Sequence, residues 1–144
     1  MIGQQGCPSR PEPGQSLAPQ ALTLTREDLR RYADASGDHN PIHLDDDVAR
    51  QFGLADGVIA HGMLVMGRIA TYVQAALGGS APTSFRVRFR APVRPGVPLV
   101  ITGRVVSADD EIVVVEVAVA PKAGGGPAVT GTWTGRLGST HRPA

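Results

Sequence analysis

His61-Gly62-Met63-Leu64-Val65-Met66-Gly67-Arg68-Ile69-Ala70-Thr71-Tyr72-Val73-Gln74-Ala75-Ala76-Leu77 places apolar residues on nearly every side of a helical wheel. A helix that is apolar all round is expected to be enclosed by other elements rather than laid on a surface. Its length, roughly 25 Å, is enough to cross a small sheet from edge to edge. His61, Arg68 and Gln74 interrupt the apolar run, which falls short of a charge-free stretch of about 20 residues, so it reads as a buried helix and no membrane is implied. Gly62 and Gly67 permit close backbone approach, and Gly78-Gly79 ends the helix.

Downstream of this helix the pattern changes to a period of two. Phe85, Val87 and Phe89 alternate with Arg86, Arg88 and Arg90, as in a strand with one buried and one wet face. A turn at Arg94-Pro95-Gly96 leads to a strand over 99–106, Asp109-Asp110 turns into a strand over 112–120, and a glycine-rich link at 124–127 precedes a last strand containing Val129, Trp133 and Leu137. These strands predict an antiparallel meander. Upstream, Leu22 and Leu24 alternate with Thr23 and Thr25 in a short strand, and Thr25 with Asp28 marks the start of a helix running to about Ser36. The whole predicts an α+β domain in which a curved antiparallel sheet wraps the apolar helix.

Between the two helices lies Asp38-His39-Asn40-Pro41-Ile42-His43. Gly37 loosens the preceding helix, Pro41 lacks the N–H that a helix needs, and Asn40 is pushed toward extended geometry by the proline after it. The segment must turn. The turn brings a carboxylate, Asp38, and an imidazole, His43, to one side of the chain, where both could reach a single water, a combination that suits proton transfer near neutrality; from these two residues alone the plainer reading, Asp38 as a helix cap and His43 as a surface histidine, stays open. Asp45, Asp46 and Asp47 precede Val48-Ala49-Arg50-Gln51-Phe52 and are read as the capped start of a short helix. A metal set drawn from His39, His43 and these aspartates is the weaker reading, because Pro41 keeps the two histidines off a common helical face.

Composition narrows the classes. With 144 residues the chain is expected to hold one domain, residues 20–138, between a flexible leader at 1–19 and a flexible tail at 139–144. A net charge of +1 and 4% aromatic residues give no footprint for nucleic acid. The single cysteine, Cys7, has no internal disulfide partner, and the leader lacks the pattern of a signal peptide, so a reduced, cytoplasmic setting is expected. No phosphate-cradling glycine loop and no credible ligand set are present, so neither a cofactor nor a metal is expected.

Tyr-Ala-Asp-Ala-Ser-Gly-Asp-His-Asn-Pro-Ile-His-Leu-Asp from Tyr32, with Gly-Leu-Ala-Asp-Gly-Val-Ile-Ala-His-Gly-Met-Leu-Val-Met-Gly from Gly53, resembles the hydratase motif of the MaoC-like family of R-specific enoyl-thioester hydratases and dehydratases. The resemblance runs from about Leu22 to Leu137, and is greatest toward the small dehydratase subunits of bacterial type II fatty-acid elongation. It implies the hot-dog fold, with residues 38–57 as the overhanging segment that builds the site. It also implies Asp38 and His43 as the catalytic pair and the Gly62 N–H as the donor to the thioester oxygen. Substrates would be acyl-CoA or acyl carrier protein thioesters. The assembly would be a homodimer, or a heterodimer with a similar subunit.

Some roles stay open at this stage. Asn40 either orients the pair or only forms the turn, the coupled pair does not reveal its formal base, and His61 reads as a structural histidine. The arginine row at 86, 88 and 90, with Arg94 beyond, is either a solvated face or a contact for coenzyme A phosphates or an acidic carrier protein. Two rivals remain. A hot-dog thioesterase is disfavoured because 61–77 holds no Asp or Glu, and a noncatalytic stabilising subunit is disfavoured by the intact Asp38/His43 pair.

Overall fold

The strand β1 (Ser16–Leu22) opens the architecture, followed by α1 (Arg26–Ser36), a 3-10 turn at Pro41–His43, α2 (Asp46–Gln51) and α3 (Gly62–Ala76). Four strands complete it: β2 (Ala81–Phe89), β3 (Leu99–Ala108), β4 (Ile112–Pro121) and β5 (Val129–Arg136). The structure is a computed structural model and describes residues 10–137. Cys7, the leader up to residue 9 and the tail at 139–144 lie outside the described residues. Among the described residues no helix is long and apolar enough to cross a membrane.

All five strands join one antiparallel sheet in the order β1-β3-β4-β5-β2. Only β3, β4 and β5 form the expected meander. β2 pairs with β5, so the strand that directly follows α3 lies at the far edge rather than beside β3. The first strand also departs from expectation. Ser16–Leu22 is paired strand, Leu17 is buried, and the Gly14 N–H donates to the Val105 carbonyl at 2.7 Å, so the ordered domain begins inside the segment read as leader. An irregularity between Leu17 and Gln20 breaks the period of two, and Pro19 is tolerated because β1 is an edge strand.

The helices start where their side chains supply caps. Thr25 and Asp28 form a reciprocal capping box at α1, and Gly37 at φ 78° closes that helix. The Asp45 carboxylate accepts from the Asp47 and Val48 N–H groups at 2.9 and 3.0 Å, which confirms the capped reading of α2.

One face of α3, Val65, Ile69, Tyr72 and Val73, is buried against the inward face of the sheet, where Leu99, Ile101, Val105, Val113, Val115, Val119, Val129 and Trp133 alternate with outward residues. The helix is not enclosed all round. Met63 is 63% exposed, and Gly67, Arg68 and Thr71 also face outward, because one five-stranded sheet covers only one side of a cylinder.

Trp133 is fully buried, and its ring occupies the space that a side chain at Gly135 would need. Gly135→Ala is therefore expected to cost about 1–3 kcal/mol in denaturant unfolding, through overpacking. Gly126→Ala, where an added methyl meets nothing within 4 Å, should leave the midpoint unchanged.

Candidate active site

The chain between α1 and α3 is mostly irregular, so its polar backbone groups need specific partners. The Asn40 side chain accepts from the Ile42 N–H at 3.2 Å and caps the turn that Pro41 begins, while the Asn40 N–H donates to the Asp38 carboxylate at 3.2 Å. Asn40 thus shapes the turn with its side chain and holds Asp38 with its backbone. The Asp46 carboxylate accepts from the Val58 N–H at 3.0 Å and pairs with Arg26 at 2.9 Å. Arg94 reaches back to the Gly57 carbonyl at 3.2 Å and to Asp56 at 3.3 Å, so it ties down this loop and stands apart from the arginine row.

These ties bring Asp38 and His43 together. His43 Nδ1 lies 2.8 Å from the Ile59 carbonyl oxygen, which can only accept, so Nδ1 carries a proton and the neutral ring keeps its lone pair on Nε2. That Nε2 is 4.0 Å from Asp38 Oδ2. The gap exceeds a hydrogen bond, yet one water can bond to both atoms. The His43 side chain is 10% exposed and that of Asp38 51%, so the pair has a dry end and a wet end.

His43 and Gly62 line the same cleft of about 390 Å³, walled by Ile59, Ala60, Phe89 and Val93. α3 begins there without a side-chain cap, leaving first-turn N–H groups available to an incoming oxygen. Gly62 also permits a close approach: a Cβ on it would stand 3.1 Å from Phe89 Cζ.

The residue that the sequence did not place at the site is His61. It is 1% exposed, its Nε2 lies 3.0 Å from the Asp38 carbonyl oxygen, and its ring stacks on His43 with centroids 3.9 Å apart and planes at 26°. Tyr32 of α1 tilts against its ring at 4.9 Å. Burial, above all, holds the His61 imidazole below its ordinary pKa of 6.5. The available signal was its position one residue before an uncapped helix, which alone does not separate a core histidine from one beneath a site.

Asp38, His43 and His61 offer ligand atoms within 4.8 Å of one another. One nitrogen of each ring is already committed, His43 Nδ1 to the Ile59 carbonyl and His61 Nε2 to the Asp38 carbonyl. The set drawn from the sequence does not converge: His39 pairs with Asp34 at 3.1 Å, Asp45 caps α2, Asp46 is held by Val58 and Arg26, and Asp47 pairs with Arg50 at 3.0 Å. Arg86, Arg88 and Arg90 lie on the outer face of the sheet and, with Arg104, line a shallow trough of about 820 Å³.

Residues 9–123 match the family described as the MaoC like domain. The chain belongs to this family. A mitochondrial 3-hydroxyacyl-[acyl-carrier-protein] dehydratase of Arabidopsis thaliana is 37% identical over 77 residues, 54% of this chain and 46% of the relative. 3-hydroxyacyl-thioester dehydratase X of Mycobacterium tuberculosis is 38% identical over 85 residues, 58% of this chain and 29% of the relative. The chain therefore spans less than half the length of either. The solved (R)-hydratase from A. caviae involved in PHA biosynthesis superposes with a TM-score of 0.79 at 26% identity, covering 88% of this chain and 97% of the other. The sheet wrapped on α3 is the hot-dog fold of MaoC-like hydratases.

In this MaoC-like domain Asp46 pins the loop that presents Ile59 and His61, and its links to the Val58 N–H and then to Arg26 hold its carboxyl below the ordinary 3.8. A lowered folded pKa means that the stabilisation is complete above 3.8 and is lost as pH falls through the folded value. Asp46→Ala is expected to lower the melting temperature at neutral pH, with the gap to the parent protein narrowing in acid, as thermal scans across pH will report.

Proposed function

We propose that the domain hydrates trans-2-enoyl thioesters to R-3-hydroxyacyl thioesters and catalyses the reverse dehydration, in fatty-acid or polyketide-type metabolism. The observation that carries the reading is the Asp38/His43 pair, spaced to hold one water beside the open N-terminus of α3. Family membership and the likeness to named dehydratases and an (R)-hydratase support it.

In the forward direction the thioester carbonyl sits at the Gly62 N–H, which stabilises negative charge as it builds on that oxygen. The water between Asp38 and His43 adds its oxygen to C3, the pair accepts a proton from that water, and a proton returns to C2 from the same side. His43 Nε2 is free to accept because the Ile59 carbonyl occupies the other nitrogen. Coenzyme A or an acyl carrier protein would carry the acyl group, and the arginine trough, which Arg90 shares with the wall of the cleft, offers positive charge to either.

Each member of a general acid/base pair typically contributes about 10²- to 10⁴-fold. Asp38→Asn and His43→Ala should each remove nearly all turnover of crotonyl-CoA, and the double variant should lose little more, since groups that act together are not additive. His39→Ala, whose ring pairs with exposed Asp34, should be mild. Chiral analysis is expected to give the R product, and chelators should leave the rate unchanged. An S product, or a His43→Ala enzyme with most of its rate, would sink the assignment.

A dimer is the proposed working unit, either of two copies or with a similar subunit. Exposed Met63 and half-exposed Phe89 lie next to or in the wall of the cleft, and the edge of β2 leaves backbone hydrogen-bonding groups unpaired, so both apolar surface and a strand edge are open to a partner. Sedimentation at nanomolar concentration is expected to show a dimer in the active fraction; a fully active monomer would contradict this.

A further inference from the structure

We propose that His61 is a positioning residue for the Asp38/His43 pair: a buried imidazole that anchors Asp38 by its backbone and backs the ring of His43. The inference rests on the hydratase reading and deepens it.

His61 occupies the N-cap position of α3, where a side chain that accepted a first-turn N–H would stabilise the helix. Its side chain makes no such bond. Its Nε2–H is instead given to the Asp38 carbonyl, 23 positions earlier, and its Nδ1 is buried with no partner among the described residues. An unpaired buried acceptor is unfavourable, and an apolar ring in the same space would avoid it. What the imidazole supplies in return is geometry at the reacting pair.

Two constraints follow from its contacts. Asp38 sits directly after Gly37, at φ 78°, where its N–H donates to the Ser36 hydroxyl and its carboxylate accepts from the Asn40 N–H; these ties are local, and the bond from His61 to its carbonyl is the one that anchors the stretch to the start of α3. His43 is held at Nδ1 by the Ile59 carbonyl and across its face by His61, so rotation of its ring is blocked and Nε2 stays turned toward Asp38. The environment also favours an uncharged His61. Besides His43 it faces Tyr32 from α1 and Asp38 from the loop, with His39 farther off, and desolvation outweighs the attraction of Asp38. A neutral ring beneath His43 tolerates the positive charge that His43 acquires in turnover, whereas a second imidazolium there would oppose it.

Three variants separate the contributions. His61→Phe keeps the stacking face and loses the donor, His61→Gln keeps a donor and loses the ring, and His61→Ala loses both. With enoyl-CoA as substrate, His61→Ala is expected to lower kcat by roughly 10- to 100-fold, with KM changed by less than about threefold, in line with the cost of misplacing a reacting group. Phe and Gln should each restore part of that loss. Melting temperatures of His61→Phe and His61→Gln should stay close to the parent, so that their kinetics report on folded enzyme. Nitrogen-15 NMR of the parent protein should show His61 as the Nε2–H tautomer, uncharged at pH values where a free histidine is half protonated. Unchanged kcat in the folded variants, a loss confined to KM, or an ordinary titration of His61 would overturn the proposal. Absence of hydratase activity in the parent would overturn the functional reading instead, leaving the tautomer and titration of His61 to decide this one.

Discussion

Burial of Val65, Ile69, Tyr72 and Val73 of α3 against the inward face of the sheet is the contact on which the rest of the molecule depends. It fixes the direction in which the helix points and therefore the place where its uncapped N-terminus emerges beside Ile59, Ala60 and Phe89. The fit is close where the sheet carries glycine: a Cβ at Gly103 would lie 2.9 Å from Leu17 and 3.3 Å from Tyr72. Gly103 thus lets Tyr72 of the helix and Leu17 of the edge strand meet the same point of β3. The position of the uncapped helix start is, in this sense, a by-product of apolar packing some distance away.

The pair itself depends on a different class of force. Residues between α1 and α3 contribute little apolar surface, with Ala49, Val58 and Ala60 the buried apolar side chains there, so polar ties set the loop's shape. His43 to Ile59, His61 to Asp38, Asp46 to Val58, and the Ala60 N–H to the Val93 carbonyl at 2.7 Å connect successive turns of this segment to each other and to the strand region. Three of these ties use a side chain on one partner and the main chain on the other. Such bonds have defined geometry, which suits a site where two side chains must stand one water apart.

Much of this was legible in the sequence where a local rule applied. The box at Thr25 and Asp28, the cap at Asp45, the bounds of α3 and the alternation in β3, β4 and β5 follow from residue chemistry within a few positions. The Asp38/His43 pair was also readable, because proline and glycine force the turn that joins them. Other features needed tertiary information. Pro19 and the irregularity near it hid β1, and nothing local to Phe85, Val87 and Phe89 says that their strand pairs with β5. An apolar helix surface signals removal from water but does not name what covers it, so the sequence predicts enclosure even for the side of α3 that is exposed. In the sequence His61 reads as a structural histidine because a solitary histidine carries no pattern; the bond that locates it beside the pair runs to a carbonyl 23 residues away.

The placement of β1 also bears on how the chain reaches this state. β3, β4 and β5 are joined by short turns and pair with near neighbours in sequence, whereas β1 must find β3 with Leu22 opposite Leu99. Closing so long a loop fixes much chain entropy before any contact rewards it, and pairings of this kind slow folding. The segment carrying Asp38, His43 and His61 lies inside that loop. The local pairings of the meander can therefore form while Asp38, His43 and His61 are still apart.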